Sequence, residues 1–526
     1  RDLYPNPDLR TSNDEDLYIP RDQFRKMDEF LQAEGFMREE LIKDKVYQEV
    51  PYQNPRNGLY FELHMDLFPQ DQLGPDNFWK TELDIQSGIA GVYTKLKGGS
   101  MSWSRYGLDN ITDNSYSWTT WSGIASIQSG SIEATTGGII SDNYKAGYEG
   151  VAACNNFMKN FPIAKENAKL SEEKANAYEA EVRFLRAFFY FELVRFYGDV
   201  PLYKEAIASV EASKVKQSPA SEVYDFIYQD INFAVENLPD IAYGSGHAVK
   251  GSAQALKARI ALFQGDWKTV ENITRELIQS GQYRLADTYQ SIFIKREGQK
   301  DNPEIIFSIT YLNPDYRHDA EMVYYYQNEI APMDDLMKCY NENDERLKEW
   351  YVFTGIGEKT FINPFGEEAS TEQAPLTGWI LLKHMDKYKK ETYTYTNYDF
   401  RTDNDVVILR YADVYLMYIE AMMEQGNGTT SDALAVKCMN EIRERAGLSS
   451  VTSVTRDELR LERRRELAFE GLRHFDLIRW KTAKEVMNSL VTPAGKCTFE
   501  DHMYVWPFPL SEMDVNPQLD QKSGYK

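Results

Sequence analysis

The segment Thr455 to Trp480, TRDELRLERRRELAFEGLRHFDLIRW, constrains the fold more than any other part of the chain. Arg463, Arg464, Arg465, Glu466, Glu470 and Arg473 stand among Leu467, Phe469, Leu472, Phe475 and Trp480. A solvated helix has no use for those rings. A plain core helix excludes three successive arginines, because an unpaired buried charge is costly. The combination predicts a helix end buried against other elements, with its charges paired. Thr455 and Glu458 have the spacing of a capping box that starts the helix. Glu466 and Glu470 stand four apart, which on a continuous helix puts both carboxylates on one face. Glycosidases use such pairs, but Arg463, Arg473 and His474 lie three or four positions away and are expected to neutralise this one. The pair therefore reads as helix packing rather than catalysis.

A chain of 526 residues can bury a large core and is expected to hold two or more structural units. Its net charge of −23 argues against nucleic acid as a partner, since phosphates call for a basic face. No apolar run reaches the ~18 residues of a membrane-spanning helix. Arg1 opens a polar stretch without the apolar core of a signal peptide, as in a cytoplasmic, mature or shortened chain. Cys154, Cys339, Cys438 and Cys497 are far apart and read as isolated thiols. The sequence has no phosphate loop, H-E-x-x-H or G-x-S-x-G motif, so an enzyme is not expected and no cofactor is implied. The six histidines are scattered and give a metal site no local support. Carboxylates leave a structural calcium open, although no EF-hand loop is present.

Residues 1–65 form an extension of unplaced role. Within it, Arg21 to Lys45 looks helical and Gly58 to Leu67 looks like a strand. From Gly74 onward helical signals dominate. Tyr178 to Tyr197 has apolar residues on every face, so a helix there is buried nearly all round. Gly198 and Pro201 end it. Ser221 is a candidate cap for a helix bearing Val223, Ile227 and Ile231. Ser252 to Phe263 is rich in alanine, which allows close helix approach, and Gly265 to Trp267 turns the chain into a partner helix. Tyr411 to Met423 and Ser431 to Ala446 form a later pair. The fold class expected is mostly α, with tetratricopeptide-like helix pairs as a scaffold, long irregular loops and a few short strands. The irregular insertions are residues 98–141 and 301–400.

Those insertions hold the candidate binding residues. A sugar is apolar on its C–H faces and polar at its edges, so a sugar site wants rings beside amides and charged groups. The first insertion supplies Trp103, Arg105, Tyr106, Asp109, Asp113, Asn114, Trp118 and Trp121, with Asn110 and Tyr116 between them. Each tryptophan could equally pack beneath the loop and anchor it. The second supplies Tyr311, Asn313, Tyr316, Arg317 and the triplet Tyr324, Tyr325 and Tyr326, in which a strand would split Tyr325 from its neighbours. Tyr316 and Tyr324 are the candidates taken from it.

Several segments resemble the SusD/RagB family. They are DLFPQDQLGPDNFWKTELDIQSGIAGVYTKL from Asp66, EVRFLRAFFYFELVRFYGDVPL, RYADVYLMYIEAM with MNEIRERAGL, the Thr455 to Trp480 segment, and the closing VWPFPLSEMDVNPQLDQKSGYK. The resemblance runs from Asp66 to Lys526 and implies one SusD-like domain over 66–526. It implies a non-enzymatic protein that binds oligosaccharide or polysaccharide through loops of its first and middle thirds. It further implies a SusC-like TonB-dependent transporter as partner, and an extracellular place on the outer membrane of Bacteroidetes. Attachment there would use an N-terminal lipid anchor that this sequence does not contain. The resemblance equally admits an oligopeptide-binding lid; a helical-repeat scaffold for proteins is a further alternative. Gly58 to Phe68, GLYFELHMDLF, resembles one strand of nucleotidyltransferase-like proteins, without the catalytic Gly-Ser and paired Asp of that group.

Overall fold

A computed structural model describes residues 15–18, 24–38, 49–53, 60–64, 78–119, 122–244, 246–321, 323, 329–352, 360–362, 368–370, 377–386 and 401–525. The chain divides into two units, Arg1–Asp84 and Ile85–Lys526.

The first unit holds a sheet of four strands, β1 (Glu15–Tyr18), β2 (Met37–Arg38), β3 (Glu49–Gln53) and β4 (Tyr60–His64), in the order β1-β4-β3-β2. β1 runs parallel to β4, and the remaining neighbours are antiparallel. Its helix α1 spans only Phe24–Ala33. The helix expected over Arg21 to Lys45 is therefore cut short: the chain turns at Gly35, where φ is +90°, and Met37 joins the sheet.

The second unit is a succession of packed helices. After α2 (Glu82–Tyr93) and a run of 3₁₀ turns come α3 (Ile124–Ser129), α4 (Ile139–Asn167), α5 (Glu172–Tyr197), α6 (Ala220–Asn237), α7 (Lys250–Gln264) and α8 (Trp267–Ser280). Two one-turn helices follow, α9 (Gln290–Phe293) ahead of the second insertion and α10 (Asp334–Met337) within it. The chain closes with α11 (Tyr411–Gln425), α12 (Ala433–Arg445), α13 (Arg456–Leu467), α14 (Arg473–Arg479), α15 (Ala483–Ser489) and α16 (Leu510–Val515). Each long helix packs on the next: α4 on α5, α5 on α6, α6 on α7, α7 on α8, α8 on α11, and α11 on α12 and α13.

α5 is buried on all sides from Ala180 onward, as its sequence requires. A Cβ at Gly150 of α4 would collide with the Phe189 ring, so glycine sets that helix spacing. Arg186 of α5 grips Asp230 of α6 through Nε (2.7 Å) and Nη2 (2.9 Å), a two-point geometry specific to the guanidinium fork. Ala253, Ala255, Ala258 and Ala261 of α7 are fully buried and admit close neighbours. Ser221 is not a cap. α6 starts after Pro219, and Asp199 Oδ1 accepts from the Ala220 N–H at 2.8 Å instead. Ile305–Ile309 and Val406–Arg410 form a buried antiparallel pair across the second insertion.

Candidate ligand-binding site

The charged segment behaves differently from a continuous helix. The capping box is present: Glu458 accepts from Thr455 N at 2.8 Å, and Thr455 caps α13. α13 then stops at Leu467, and Phe469 and Gly471 take φ of +61° and +70°. Glu466 and Glu470 therefore do not share a helical face. They converge on one buried cluster through this turn. Arg410 gives all five N–H groups to it: Nε and Nη2 to Glu470 (2.7 and 2.7 Å), Nη1 to Glu304 and Glu466 (2.7 and 2.9 Å), and Nη2 to the Glu466 carbonyl (2.8 Å). Arg346 and Arg445 also reach Glu466, at 3.1 and 2.6 Å, and Lys383 reaches Glu470 at 2.8 Å.

Burial alone would raise the Glu466 carboxyl; Arg445, Arg410 and Arg346 outweigh it and hold it well below the usual range. Glu470 is lowered in the same way by Arg410 and Lys383. These carboxylates stay ionised, fully paired and out of reach of a substrate. The expected local partners are a correction. Arg463 bonds Asp413 (2.6 Å) and Asp476 (2.7 Å), and Arg473 bonds Asp113. His474 is buried among Phe196, Phe475 and Trp506, where burial depresses it to about 3, so it is neutral.

The first insertion is clamped to this same turn. Asp109 accepts from Phe469 N (3.1 Å), Gly471 N (3.2 Å) and Asn114 Nδ2 (2.6 Å). Burial lifts its carboxyl to about 6 in spite of those donors. Asp113 takes Nε and Nη2 of Arg473 at 2.8 and 2.7 Å, and Asn114 Oδ1 accepts from Arg464 Nε at 2.9 Å. Arg105 Nη1 bonds the Met101 carbonyl at 3.1 Å, and Tyr106 stacks on His384 at 3.7 Å. Arg105, Tyr106, Asp109, Asp113 and Asn114 are each under 5% exposed. They cannot meet a ligand, and their assignment as contacts is corrected: they anchor the loop. A polar, Gly-Ser-rich stretch reads as solvated, but here Asp109, Asp113 and Asn114 find partners inside the protein.

A cluster of rings draws on both insertions, with Trp103 and Tyr316 accessible and Tyr311 and His318 buried. The Trp103 ring lies parallel to His318, 6.1 Å between centroids and 11° between planes. His318 Nε2 donates to the Asn404 carbonyl at 2.8 Å, and the Tyr311 ring meets the imidazole edge-on at 4.5 Å. Ser102 and Tyr311 hydrogen-bond through their hydroxyls. Leu312 and Tyr316 exchange backbone hydrogen bonds of 2.7 Å, closing a turn whose Leu312 and Tyr316 side chains are both 58% exposed. Lys97 Nζ sits over the Tyr316 ring at 4.2 Å and the Tyr311 ring at 5.0 Å, a cation–π arrangement. The turn is held from behind by Lys295, which donates to the Tyr311 carbonyl, and by Asp405, which accepts from Tyr311 N at 2.9 Å. Beside Trp103 opens a cleft of about 220 Å³, walled by Gly99, Asn110, Asp142 and Glu329.

Trp103 and Tyr316 are thus brought into one neighbourhood, with Trp118 exposed elsewhere on the same insertion. Trp121 and Tyr324 lie outside the described residues. Sequence reasoning missed Lys97 and His318. Lys97 stands one residue outside the insertion as bounded, and His318 two residues beyond Tyr316. Among the described residues no group of three or more His, Cys, Asp or Glu could hold a metal ion.

Residues 265–525 match the family model described as the SusD family, and residues 66–262 match one described as starch-binding associating with outer membrane. Residues 1–94 match a model described as an uncharacterised nucleotidyltransferase, which overlaps the second match. SusD-like protein P2 of Formosa agariphila is 26% identical over 490 residues, covering 86% of this chain and 94% of that protein. The starch-binding protein SusD of Bacteroides thetaiotaomicron is 23% identical over 411 residues, 66% of this chain and 72% of that one. The crystal structure of a SusD-like protein from Bacteroides fragilis superposes with a TM-score of 0.70 at 27% identity, over 87% of this chain and 100% of that one. Two SusD-type matches in succession span the helical unit and its insertions, and over residues 66–525 the chain belongs to the SusD family.

Proposed function

We propose that the chain captures an oligosaccharide on the Trp103–Tyr316 face, leaves its bonds intact, and passes it to a TonB-dependent outer-membrane transporter. The observation that carries this reading is the convergence of the accessible Trp103, Tyr316 and Lys97 around the buried Tyr311 and His318, from two segments far apart in sequence. Flat rings cover the C–H faces of sugars, and the Lys97 ammonium and the exposed Asp142 carboxylate offer a donor and an acceptor to hydroxyls. The rigid turn beneath Tyr316 keeps the ordering cost of binding low. The starch-binding relative and the family description favour carbohydrate over peptide. The same description supports a place at the outer membrane; its extracellular face and a lipid attachment belong to this proposal. No helix among the described residues is long and apolar enough to cross a membrane.

Calorimetry against a panel of soluble oligosaccharides tests the site. Trp103→Ala and Tyr316→Ala should each weaken binding roughly 10-fold, the equivalent of one well-stacked ring at ~1.4 kcal/mol. Wild-type affinity in both variants, or binding of oligopeptides instead, refutes the assignment. Release of new reducing ends from a bound glycan refutes binding without hydrolysis. Co-purification of the natively expressed protein with a TonB-dependent transporter tests delivery.

A further inference from the structure

A second and larger cavity lies away from the Trp103–Tyr316 face. Its volume is about 540 Å³, within the range of small-molecule sites. Tyr144 and Tyr148 of α4 and Tyr203 of the loop after α5 form one wall, and Glu512 and Val515 of α16 form the other. Tyr148 and Tyr203 meet edge-on at 5.6 Å, and Tyr144 and Tyr148 are tilted at 4.8 Å.

The polar side chains of this wall are spent inside the protein. Tyr148 donates to the Pro201 carbonyl at 2.8 Å and Tyr203 to the Ser213 carbonyl at 2.6 Å. Asn155 Nδ2 donates to the Tyr203 and Glu205 carbonyls (2.8 and 3.1 Å) while its Oδ1 accepts from Arg186 at 2.7 Å. Asn516 donates to the Val215 carbonyl at 2.8 Å and accepts from Gln518 N at 3.1 Å. A sugar would find few hydroxyl partners here. Left for a ligand are ring surfaces, the aliphatic side chains of Ile207 and Val515 (43% and 57% exposed), the exposed Asn156 and Glu205, and one half-buried carboxylate.

That carboxylate is Glu512. It is half-buried, and among the described residues it has no ion-pair or hydrogen-bond partner. Burial raises its carboxyl, and it acts electrostatically on both Tyr144 and Tyr203. The cation at the rim, Lys145, is turned to Glu149 at 3.9 Å, and Lys95 reaches the same Glu149 at 3.7 Å. Glu205 adds a further exposed negative charge to the lining.

We propose that this cavity binds a small organic cation, an ammonium group on an apolar body, with the body against Tyr148, Tyr203 and Val515 and the charge at Glu512. Aromatic walls attract cations through the ring quadrupole, and an unpartnered carboxylate in a partly dry site supplies the counter-charge.

Titration of the whole protein with 2-phenylethylammonium chloride at constant ionic strength tests it, with neutral 2-phenylethanol as the shape control. The cation should bind saturably at one site and roughly 10-fold or more tighter than the alcohol. Glu512→Gln should abolish that preference while leaving the alcohol's weak binding in place. Ile207→Arg, which brings an internal cation to the cavity, should block the ligand, whereas Trp103→Ala should have no effect. Equal binding of amine and alcohol, no saturable binding of the amine, or wild-type affinity in Glu512→Gln overturns the proposal.

Discussion

Replacing Arg410 by Met removes the guanidinium at the centre of the buried cluster and keeps much of its length. Glu304 retains Arg445 and the Ala286 N–H, Glu466 retains Arg346 and Arg445, and Glu470 retains Lys383. No carboxylate is orphaned, yet three lose a donor at 2.7 to 2.9 Å. Removing one partner of a buried pair costs ~3–5 kcal/mol. The surviving cations hold the loss near that figure instead of a multiple of it. The second unit, about 440 residues, has an unfolding entropy of ~0.9 kcal/mol/K at ~2.1 cal/mol/K per residue, so the melting midpoint should fall by ~3–5 °C. The pH dependence carries its own sign. The Glu466 carboxyl is depressed on folding, so its contribution is present above the ordinary carboxylate pKa and is lost as pH falls toward the folded value. The deficit of Arg410→Met should therefore be largest near pH 7 and narrow on acidification. Arg410→Lys, which keeps charge but loses the fork, should fall between the two. Thermal melts followed by circular dichroism at pH 7 and pH 3 decide it. A shift under ~1 °C at pH 7, or one that widens in acid, refutes the account of the cluster as ionised and mutually satisfied.

Two further outcomes follow from the clamp between the first insertion and the charged turn. In Gly471→Ala a Cβ would stand 2.6 Å from the Arg105 carbonyl oxygen at φ +70°, so the turn must shift and the Gly471 N–H leaves Asp109. Strain of this kind costs ~1–3 kcal/mol, and hydrogen exchange should quicken across residues 102–114; unchanged exchange there counts against the clamp. His474 is held neutral to about pH 3 by burial, while in the unfolded chain it protonates near 6.5, so it lowers stability as pH falls below 6.5. At pH 5 that loss is ~2 kcal/mol, and His474→Phe, set among Phe196, Phe475 and Trp506, should unfold less readily in acid than wild type. Parallel stability curves for the two proteins between pH 7 and pH 4 would exclude this source of acid sensitivity.

The helices were legible because their signals are local. The apolar spread of α5, the alanines of α7 and the Thr455–Glu458 box each act within a turn or two of chain. Partners were not legible, because they are distant. Arg463 and Arg473 stand near Glu466 and Glu470 in sequence, but the turn at Phe469 sends those arginines to Asp413 and Asp113 and leaves the glutamates to Arg410, Arg445 and Lys383. The first insertion failed differently. Its composition does not tell exposure: Asp109 and Asp113 are polar because they bind the scaffold. Of that inventory Trp103 is partly exposed and Trp118 exposed, and the ring stacked on Trp103, His318, comes from the other insertion.

This arrangement joins the two parts of the chain that looked unrelated. The charged turn does not touch the candidate ligand face, yet it determines where that face can be. Phe469 N and Gly471 N hold Asp109, Arg464 and Arg473 hold Asp113, and both acids sit on the loop that begins with Trp103. On the far side of the cluster, Arg410 ends the strand whose partner, Ile305–Ile309, leads directly into Tyr311 and Tyr316. One buried network therefore braces the roots of both insertions. Such a brace lets the exposed residues between Trp103 and Tyr316 vary in identity while their backbone positions stay fixed, which is how a single scaffold can be fitted to different ligands. The physical consequence is asymmetric: a change at Trp103 or Tyr316 should alter binding with little loss of stability, and a change at Asp113 or Arg410 should cost both.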